Sequence, residues 1–461
     1  MTTDAALIEA ESAGINSEIQ EGRARLYCPE KEIRDIRTKS LQSLLNFAKH
    51  NSPWYKKTLA HIDVDNFTED HLEEIPPLDK STLMANWDTI VTNPVLTLDI
   101  AESHIAKMST DSDLLYLWDR FHVLATSGSS GTRGVYVYDR QEWIQKTAAG
   151  RRFPWLTEDF LPISFPKRKI LLAQVVITNA VYAMYAGGKT YTNESVENIY
   201  VPMTLPMDEI CSRLNAQPVD ILMGIPSTIH KLCLESREGR LSIDPRIVYS
   251  TAEPLYAPIR KLINETWPNS HLFNALASSE GIYARNCRAE SKEMHLNDDG
   301  CIVQPVDKHD RPVEKGELPE KLYLTNLINY TLPLIRYESP DQLVFLNKKC
   351  KCGCNFQLIE EPPGRPEFDF IYSENIFVHH LVFVTPILHE RNIQEYQVCQ
   401  TSRGADIKIV TVGAIDKHRL IQGVTNGLTE LGLSKPEVNV DEVPKLEYPA
   451  SGKLRRFVKL L

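Results

Sequence analysis

The sequence predicts an α/β protein. A large N-terminal domain of βαβ sheets carries a small antiparallel subdomain, and a small α+β C-terminal domain follows. Three observations predict this. Between Lys169 and Gly281 short apolar runs alternate with polar helical stretches, the pattern of strands joined by crossover helices. From Cys301 to Leu346 the alternation is strand-like, with a turn at Glu314-Lys315-Gly316-Glu317. At Pro362-Pro363-Gly364 the pattern breaks and then restarts. These place the domains at residues 1–364 and 365–461, with the subdomain at about 285–360.

Taken in order, Glu32 to His50 spaces Ile33, Ile36, Leu41, Leu44, Leu45 and Ala48 as one face of a helix, and Pro53 stands where a helix must stop. Asn66 to Asn86 holds Ile75-Pro76-Pro77-Leu78, then Asp79-Lys80-Ser81 opening a short helix, and reads as a wrapping arm. Strands are expected at Ile170–Ile177, Asn198–Leu205, Asp220–Pro226, Arg246–Leu255 and His271–Gly281. The helices between them are Met207–Ala216, Ser227–Glu238 and Tyr256–Trp267. In the last hundred residues Gln397–Gly413 and Pro436–Pro444 read as strands around a helix at Asp416–Leu431.

Composition narrows the function classes. The chain has 461 residues, 42% hydrophobic and 24% charged, ordinary for a globular protein. Its net charge of −10 argues against a nucleic-acid surface. No window approaches the roughly eighteen apolar residues of a membrane span. The acidic start, MTTDAALIEAESAG, does not read as a secretory signal. Nine cysteines include five scattered ones (Cys28, Cys211, Cys233, Cys301, Cys399), which read as buried thiols of a reducing compartment, the cytoplasm.

The stretch with the most chemistry is LATSGSSGTRGVYVYD, Leu124 to Asp139. Thr126, Ser127, Ser129 and Ser130 are threaded between Gly128 and Gly131, with Thr132 after them. Glycine lets backbone approach a ligand, successive N–H groups form an anion-binding concavity, and hydroxyls add donors. The strand-like Val135–Tyr138 behind it argues against a flexible linker. No Lys-[Ser/Thr] closes the loop and no G-x-G-x-x-G opens a helix, so it is neither a P-loop nor a dinucleotide fingerprint. Ligands of such sheets bind at the carboxyl ends of strands, where Gly224, Glu253 and Ser279-Glu280 lie.

Several of these stretches together resemble the adenylate-forming superfamily, and most closely its phenylacetate–CoA ligase branch, over nearly the whole length. LLNFAKHNSPWYKKTL (Leu44 to Leu59) and IPPLDKSTL (Ile75 to Leu83) are similar to that branch's start. Ser127–Gly131 resembles its phosphate loop, Thr251-Ala252-Glu253-Pro254 its GGEP turn, and Asn274–Glu280 its D-x-Y-G-x-[ST]-E motif. PLIRYESPD (Pro333 to Asp341), Gly364–Phe368 and Gly452-Lys453 resemble three further motifs, in family order.

The resemblance implies attack of a carboxylate on the α-phosphorus of ATP, giving an acyl-adenylate and pyrophosphate, then transfer to a thiol of CoA or an acyl-carrier protein. Catalysis would be positioning and charge neutralisation. By this resemblance the Thr126–Thr132 loop holds the triphosphate tail, and Glu280, with Ser130, holds Mg²⁺ through oxygen ligands. Asp341 and Arg365 reach the ribose, Thr251, Ala252, Glu253 and Asn274 border the adenine, and Ser279 lies beside the nucleotide. Lys453 bridges carboxylate and α-phosphate. The C-terminal domain is mobile, turning near Arg365–Asp369 between half-reactions. A pocket for the acid draws on Tyr182, Tyr185, Gly224, Ala252 and Ala277 and suits a flat, aromatic acid; Tyr182 and Tyr185 read equally as core aromatics at helical spacing.

Cys350-Lys-Cys352-Gly-Cys354 is a compact thiol cluster, better suited to a metal than to disulfides in a reducing compartment. Cys287 and His295, in NCRAESKEMHL, are the best partners for Cys350 and Cys352, with Cys354 as the alternative. Some relatives carry a similar set, which implies structural zinc.

Three departures from the branch matter. Leu276-Ala277 replaces its Tyr-Gly, so phenylacetate itself is not implied. Thr132-Arg133 replaces Lys-Pro in the loop. Ser373 stands where the second-step loop has a glycine, and Glu374 adds an acid beside it, which weakens the case for CoA. An amine acceptor, and a catalytically silent nucleotide-binding scaffold, are therefore the competing readings. Joint retention of Glu280, Asp341, Arg365 and Lys453 disfavours the silent one.

Overall fold

The structure, a computed structural model, describes residues 3–108, 111, 114–126, 133–153, 167–339, 341–362, 368–373, 376–378, 380–390, 392–447 and 456–460. The chain divides into two compact units. One comprises Met1–Thr126, Gly134–Ile229 and Glu235–Pro363, and the other Ser127–Arg133, His230–Leu234 and Gly364–Leu461.

The larger unit opens with helices α1 (Thr3–Arg25), α2 (Glu30–Asn51), α3 (Pro53–Thr58), α4 (Lys80–Ala85), α5 (Trp87–Ile90) and α6 (Leu98–Met108). The expected apolar stripe of α2 buries Ile33, Leu41, Leu44, Leu45 and Ala48. Ser52 ends it and caps α3, accepting the Tyr55 N–H at 3.3 Å. Asp79 caps α4 through the Thr82 N–H at 2.8 Å. The arm before it does wrap: the Leu78 N–H donates to Arg336 O at 3.1 Å, and Glu338 N–H donates to Leu78 O at 2.9 Å. α1 was not expected from the sequence. Its anchor is Glu11, fully buried and accepting from Tyr116 Oη and His122 Nε2, both at 3.1 Å, and from Arg140 Nε at 3.2 Å.

An antiparallel hairpin follows, β1 (Phe121–Ala125) with β2 (Val135–Asp139), Ala125 facing Val135. Asp139 and Glu142 form a capping box that starts α7 (Arg140–Ala149). Then come β3 (Ile170–Val176), α8 (Ala183–Lys189), β4 (Val196–Pro202), α9 (Met207–Asn215), β5 (Ile221–Gly224), α10 (Pro226–Arg237), β6 (Ile247–Thr251), α11 (Ala257–Thr266) and β7 (His271–Ala277). After these lie β8 (Tyr283–Arg285), β9 (Glu293–Leu296), β10 (Cys301–Val306), β11 (Lys321–Asn326), β12 (Tyr337–Ser339) and β13 (Leu358–Glu360).

The main sheet has eight strands in the order β13-β9-β8-β7-β6-β5-β3-β4. β3 to β7 run parallel and β8, β9 and β13 add an antiparallel edge. The expected separate subdomain at 285–360 is thus split. Only β10, β11 and β12 form their own antiparallel sheet. The reason is local: the turn after β7 closes through Ser278 N–H to Ile282 O at 2.9 Å, so β8 must pair with β7 and extend the main sheet.

The smaller unit contains β14 (Phe370–Ile371), β15 (Phe377–Val378), α12 (Leu381–His389), β16 (Ile393–Thr401), β17 (Gly404–Thr411), α13 (Lys417–Glu430), β18 (Glu437–Glu442) and β19 (Phe457–Val458). Its four-stranded sheet has the order β18-β17-β16-β19. The Gln397–Gly413 stretch is the β16–β17 hairpin. α12, not expected from the sequence, packs onto glycines of α13: a Cβ on Gly427 would lie 2.9 Å from Val382. Among the described residues no helix is long and apolar enough to cross a membrane.

Candidate active site

The turn after β7 carries Ser278, Ser279 and Glu280, and each of its carbonyls is held from a different element. Lys146 Nζ on α7 donates to Ser278 O at 2.9 Å. Tyr138 Oη on β2 donates to Ser279 O at 2.6 Å. Asn326 Nδ2 on β11 donates to Glu280 O at 2.7 Å. Ser278 Oγ accepts the N–H groups of Gly281 and Ile282 at 3.2 and 3.1 Å. Gly281 sits at φ +119°, a backbone open to glycine. The Glu280 carboxylate accepts from Tyr136 Oη at 2.9 Å, and Tyr136 Oη lies 3.1 Å from Tyr337 Oη on β12.

Tyr136 also stands beside the base of the serine–glycine loop. Thr126 N–H donates to Gly134 O at 2.9 Å, and Gly134 N–H donates to Thr126 Oγ1 at 3.0 Å. A Cβ on Gly134 would lie 2.6 Å from Tyr136 Oη, so any larger residue there would displace the phenol. Gly134 and the motif acid therefore meet at one phenol, Tyr136 and Glu280 being 144 residues apart in the chain. Burial, then the Glu280 charge, raises the Tyr136 pKa well above the ordinary phenol value, which keeps it a hydrogen donor. Burial pushes Lys146 down to about 8, against the pull of Glu280.

The other expected residues are spread around this centre. Thr251 is buried at the end of β6, and exposed Ala252 follows at φ +66°. Glu253 accepts the Ser227 N–H of α10 at 3.0 Å. Asp341, just beyond β12, accepts from Ser339 Oγ at 3.1 Å. Ala277 is exposed at the end of β7 and pairs with Tyr283. Tyr185 is buried edge-on to Tyr200 at 5.2 Å, and Tyr182 is half-buried before α8.

Two expectations shift. Asn274 is buried on β7, and its amide donates to Glu361, which is paired with Arg260 at 2.7 Å. It faces α11 and so does not present itself to the turn. A side chain on Gly224 would meet Ile229 of α10 at 3.4 Å, on the same face as Asn274 and opposite to Ala277. Ser127, Gly128, Ser129, Ser130, Gly131, Thr132, Arg365 and Lys453 lie outside the described residues. Tyr136, Tyr138, Lys146, Asn326 and Tyr337 were not expected as site residues. The tyrosines stand within VYVYD and PLIRYESPD, where sequence alone marks them as strand residues.

A second cluster joins β8, β9 and the cysteine turn. The ligand atoms of Cys287, His295, Cys350 and Cys352 lie within 4.8 Å of one another. Cys287 Sγ is 3.5 Å from Cys350 Sγ, and Cys352 Sγ is 3.2 Å from His295 Nε2. His295 Nδ1 lies 3.1 Å from Phe356 O, which orients the ring and directs Nε2 into the cluster. Hydrogen bonding to His295 lowers the Cys350 thiol below its ordinary value, and Cys287 and Cys354 do so for Cys352. Cys354 contributes its N–H to Cys352 Sγ at 3.4 Å, while its thiol is buried with Leu26, Ile33, Phe153 and Phe356. Three thiols and an imidazole converging in this way are a donor set for a tetrahedral metal.

Comparison with solved structures settles the fold. The chain is similar to 2-hydroxyisobutyryl-CoA ligase in the postadenylation state in complex with R3-HIB-AMP: TM-score 0.65 and 16% identity, covering 94% of this chain and 91% of that one. It has the adenylate-forming enzyme fold. The same ligase in complex with 2-HIB-AMP and CoA, in the thioesterification state, matches at TM-score 0.59, 16% identity and coverages of 94% and 91%. McyG A-PCP complexed with phenylalanyl-adenylate matches at TM-score 0.50 and 14% identity, over 72% of this chain and 64% of that one. No protein-family model matches the chain, and no curated protein is significantly similar in sequence.

Proposed function

We propose that the protein activates a carboxylic acid with ATP and passes the acyl group to a thiol, as a member of the phenylacetate–CoA ligase-like branch. The observation that carries this is the Tyr136–Glu280 hydrogen bond, at 2.9 Å, beneath the Thr126–Gly134 closure. It supports the reading because it holds the motif acid through a phenol that packs against Gly134, whose N–H donates to Thr126.

In the first step a carboxylate oxygen of the substrate bonds to the α-phosphorus of ATP, and the bond from that phosphorus to the bridging oxygen breaks, releasing pyrophosphate. In the second a thiolate attacks the acyl carbon, AMP leaves with the bonding pair, and the thiol proton goes to solvent. Two anions must meet in the first step, so the protein's work is orientation and neutralisation. The Thr126–Thr132 loop would bind the polyphosphate, Thr251–Glu253 and Ser279 the nucleoside, and Asp341 and Arg365 the ribose. Lys453 would reduce the repulsion between carboxylate and α-phosphate. Glu280, with Ser130, would hold Mg²⁺, which supplies positive charge to the phosphates when bound. The Ser278–Glu280 carbonyls, pinned by Lys146, Tyr138 and Asn326, keep Glu280 from rotating away.

The thiol of CoA or of a carrier protein is the proposed acceptor. Support comes from the folds compared: one ligase was solved with an acyl-AMP and CoA, and the McyG structure with an aminoacyl-adenylate. The C-terminal unit is proposed to change position between the half-reactions, so that Lys453 serves only the first. Cys287, His295, Cys350 and Cys352 would hold a structural zinc, tying β8 and β9 to the turn before β13.

ATP–pyrophosphate exchange across a panel of carboxylic acids tests the reading. Exchange with at least one acid, lost in Lys453→Ala and Glu280→Gln, is expected. No exchange with any acid, or an unchanged rate in Lys453→Ala, favours a silent scaffold. Products formed with CoA, carrier protein and amines supplied in parallel identify the acceptor.

A further inference from the structure

Two N-terminal segments, LLNFAKHNSPWYKKTL and IPPLDKSTL, take no part in the steps proposed above, yet both close on PLIRYESPD. Tyr55, in the first, is buried. Its Oη donates to Pro333 O at 2.9 Å and accepts the Ile335 N–H at 3.3 Å. Leu78, in the second, forms a parallel bridge with Tyr337: its N–H donates to Arg336 O at 3.1 Å, and its carbonyl accepts the Glu338 N–H at 2.9 Å. Pro333 O, Ile335 N–H, Arg336 O and Glu338 N–H are thus all bonded to N-terminal residues, on both sides of Tyr337. Arg336 reaches back along the same arm. Its Nη1 donates to Glu73 O at 3.0 Å and to Ile75 O at 2.7 Å, and its Cζ lies 4.7 Å from the Tyr323 ring centre on β11.

Arg336 stands at φ +50°, a left-handed conformation that a residue with a Cβ enters only at a cost. Its surroundings enforce it. The N–H is held by Thr325 Oγ1 at 3.0 Å, the carbonyl by Leu78, and the guanidinium by the arm carbonyls. The strained residue comes directly before Tyr337, which is buried and whose Oη lies 3.1 Å from Tyr136 Oη. Tyr136 gives its one hydrogen to Glu280, so the Tyr337 phenol is the donor between the two rings. Successive donations of this kind polarise one another, and the last acceptor in the row is the Glu280 carboxylate. The N-terminal bonds therefore converge on the backbone of the one residue from which this row starts.

We propose that Tyr55 and Arg336 are positioning residues for the adenylation step. They fix Tyr337, whose phenol keeps Tyr136 turned towards Glu280, so the N-terminal segment sets the placement of the acid that would hold Mg²⁺. Neither residue touches the reacting atoms. The inference gives the two N-terminal segments a task, and it rests on the ligase reading for the role of Glu280.

Pyrophosphate exchange measured against Mg²⁺ concentration tests it in Arg336→Gln, Tyr55→Phe and Leu41→Ala. The last opens a cavity on α2 and serves as the stability control. In the first two the Mg²⁺ concentration for half-maximal exchange is expected to rise roughly tenfold, the lower end for groups that stand behind a metal ligand. Leu41→Ala should keep the parent value. Arg336→Lys should restore part of the loss. Arg336→Gly suits the left-handed backbone but has no guanidinium, and should be as impaired as Arg336→Gln. In a Tyr337→Phe background Arg336→Gln should add much less than it does alone, since both act through one phenol. Amide exchange of the full chain without Mg²⁺ gives a readout independent of turnover: the Gly281 and Ile282 amides should exchange faster in Arg336→Gln and Tyr55→Phe than in Leu41→Ala. A parent-like Mg²⁺ dependence in both variants, or full additivity with Tyr337→Phe, overturns the inference and leaves the ligase reading standing. No exchange with any acid in the parent overturns the ligase reading. Faster turn amides then still support the positioning of Glu280, and parent-like ones overturn it as well.

Discussion

Tyr136 links the two halves of the candidate site through a single oxygen atom. It sits on β2 with Gly134 beneath it, donates to Glu280 and touches Tyr337. Tyr136→Phe keeps the ring and removes the donor. The expected result is a fall of about tenfold or more in pyrophosphate exchange, since a hydrogen bond to a charged group contributes roughly 1.5–3 kcal/mol. An unchanged rate with an unchanged melting temperature would show that the phenol does not hold Glu280 in place. Gly134→Ala should act in the same direction by pushing the phenol aside. Lys146 gives a test in pH. Its folded pKa, about 8, lies below that of an exposed lysine. Between these values the unfolded chain binds more protons, so this group makes stability rise with pH from about 8 towards 10 and contributes no slope below. Lys146→Met should remove that slope in urea titrations at pH 7, 8.5 and 10. An identical slope in the variant would place the lysine in a solvated setting.

At the scale of elements, α1 shows how a segment of weak pattern is fixed by one buried polar contact. Its apolar residues form no strong stripe, yet Glu11 is fully buried against His122, Tyr116 and Arg140. Glu11→Ala leaves these donors without their acceptor and should cost about 3 kcal/mol, measured by denaturant unfolding. Because His122 lies on β1, the hairpin that carries the serine–glycine loop should loosen too, seen as faster amide exchange in β1. A variant as stable as the parent would mean α1 is an ornament on the surface. The β7–β8 turn teaches a related lesson. Gly281 and the Ser278 hydroxyl close it tightly, so strands whose sequence reads as a separate module become the edge of the main sheet.

At the scale of the whole molecule, the Cys/His cluster ties distant parts of the larger unit together, from β8 and β9 to the cysteine turn near residue 350. Structural zinc in small units contributes on the order of 10 kcal/mol to folding. About one equivalent of zinc per chain is expected by elemental analysis. Its removal by a chelator should lower the melting temperature, and Cys350→Ser should bind metal weakly. Cys354→Ala should keep the metal, since its sulfur is not among the four ligand atoms that converge. Metal lost in Cys354→Ala but kept in Cys350→Ser would reassign the ligands.

Local pattern alone determined strands β3 to β7 and helices α9 to α11, though not α8, together with the stop of α2 before Pro53 and the opening of α4 at Asp79. These depend on periodicity, proline and hydroxyl caps, which act within a few residues. The four metal-ligand candidates were also legible, because thiols and imidazole at short spacing have few other uses together. Tertiary structure alone decided which face each side chain occupies. Asn274 turned out to face Glu361, Gly224 to face Ile229, and Arg336 to clasp the arm at Glu73 and Ile75. A strand's alternation says that neighbours point to opposite faces, but not which face the ligand sees. That is set by the helices that cover the sheet, through contacts between residues far apart in the chain.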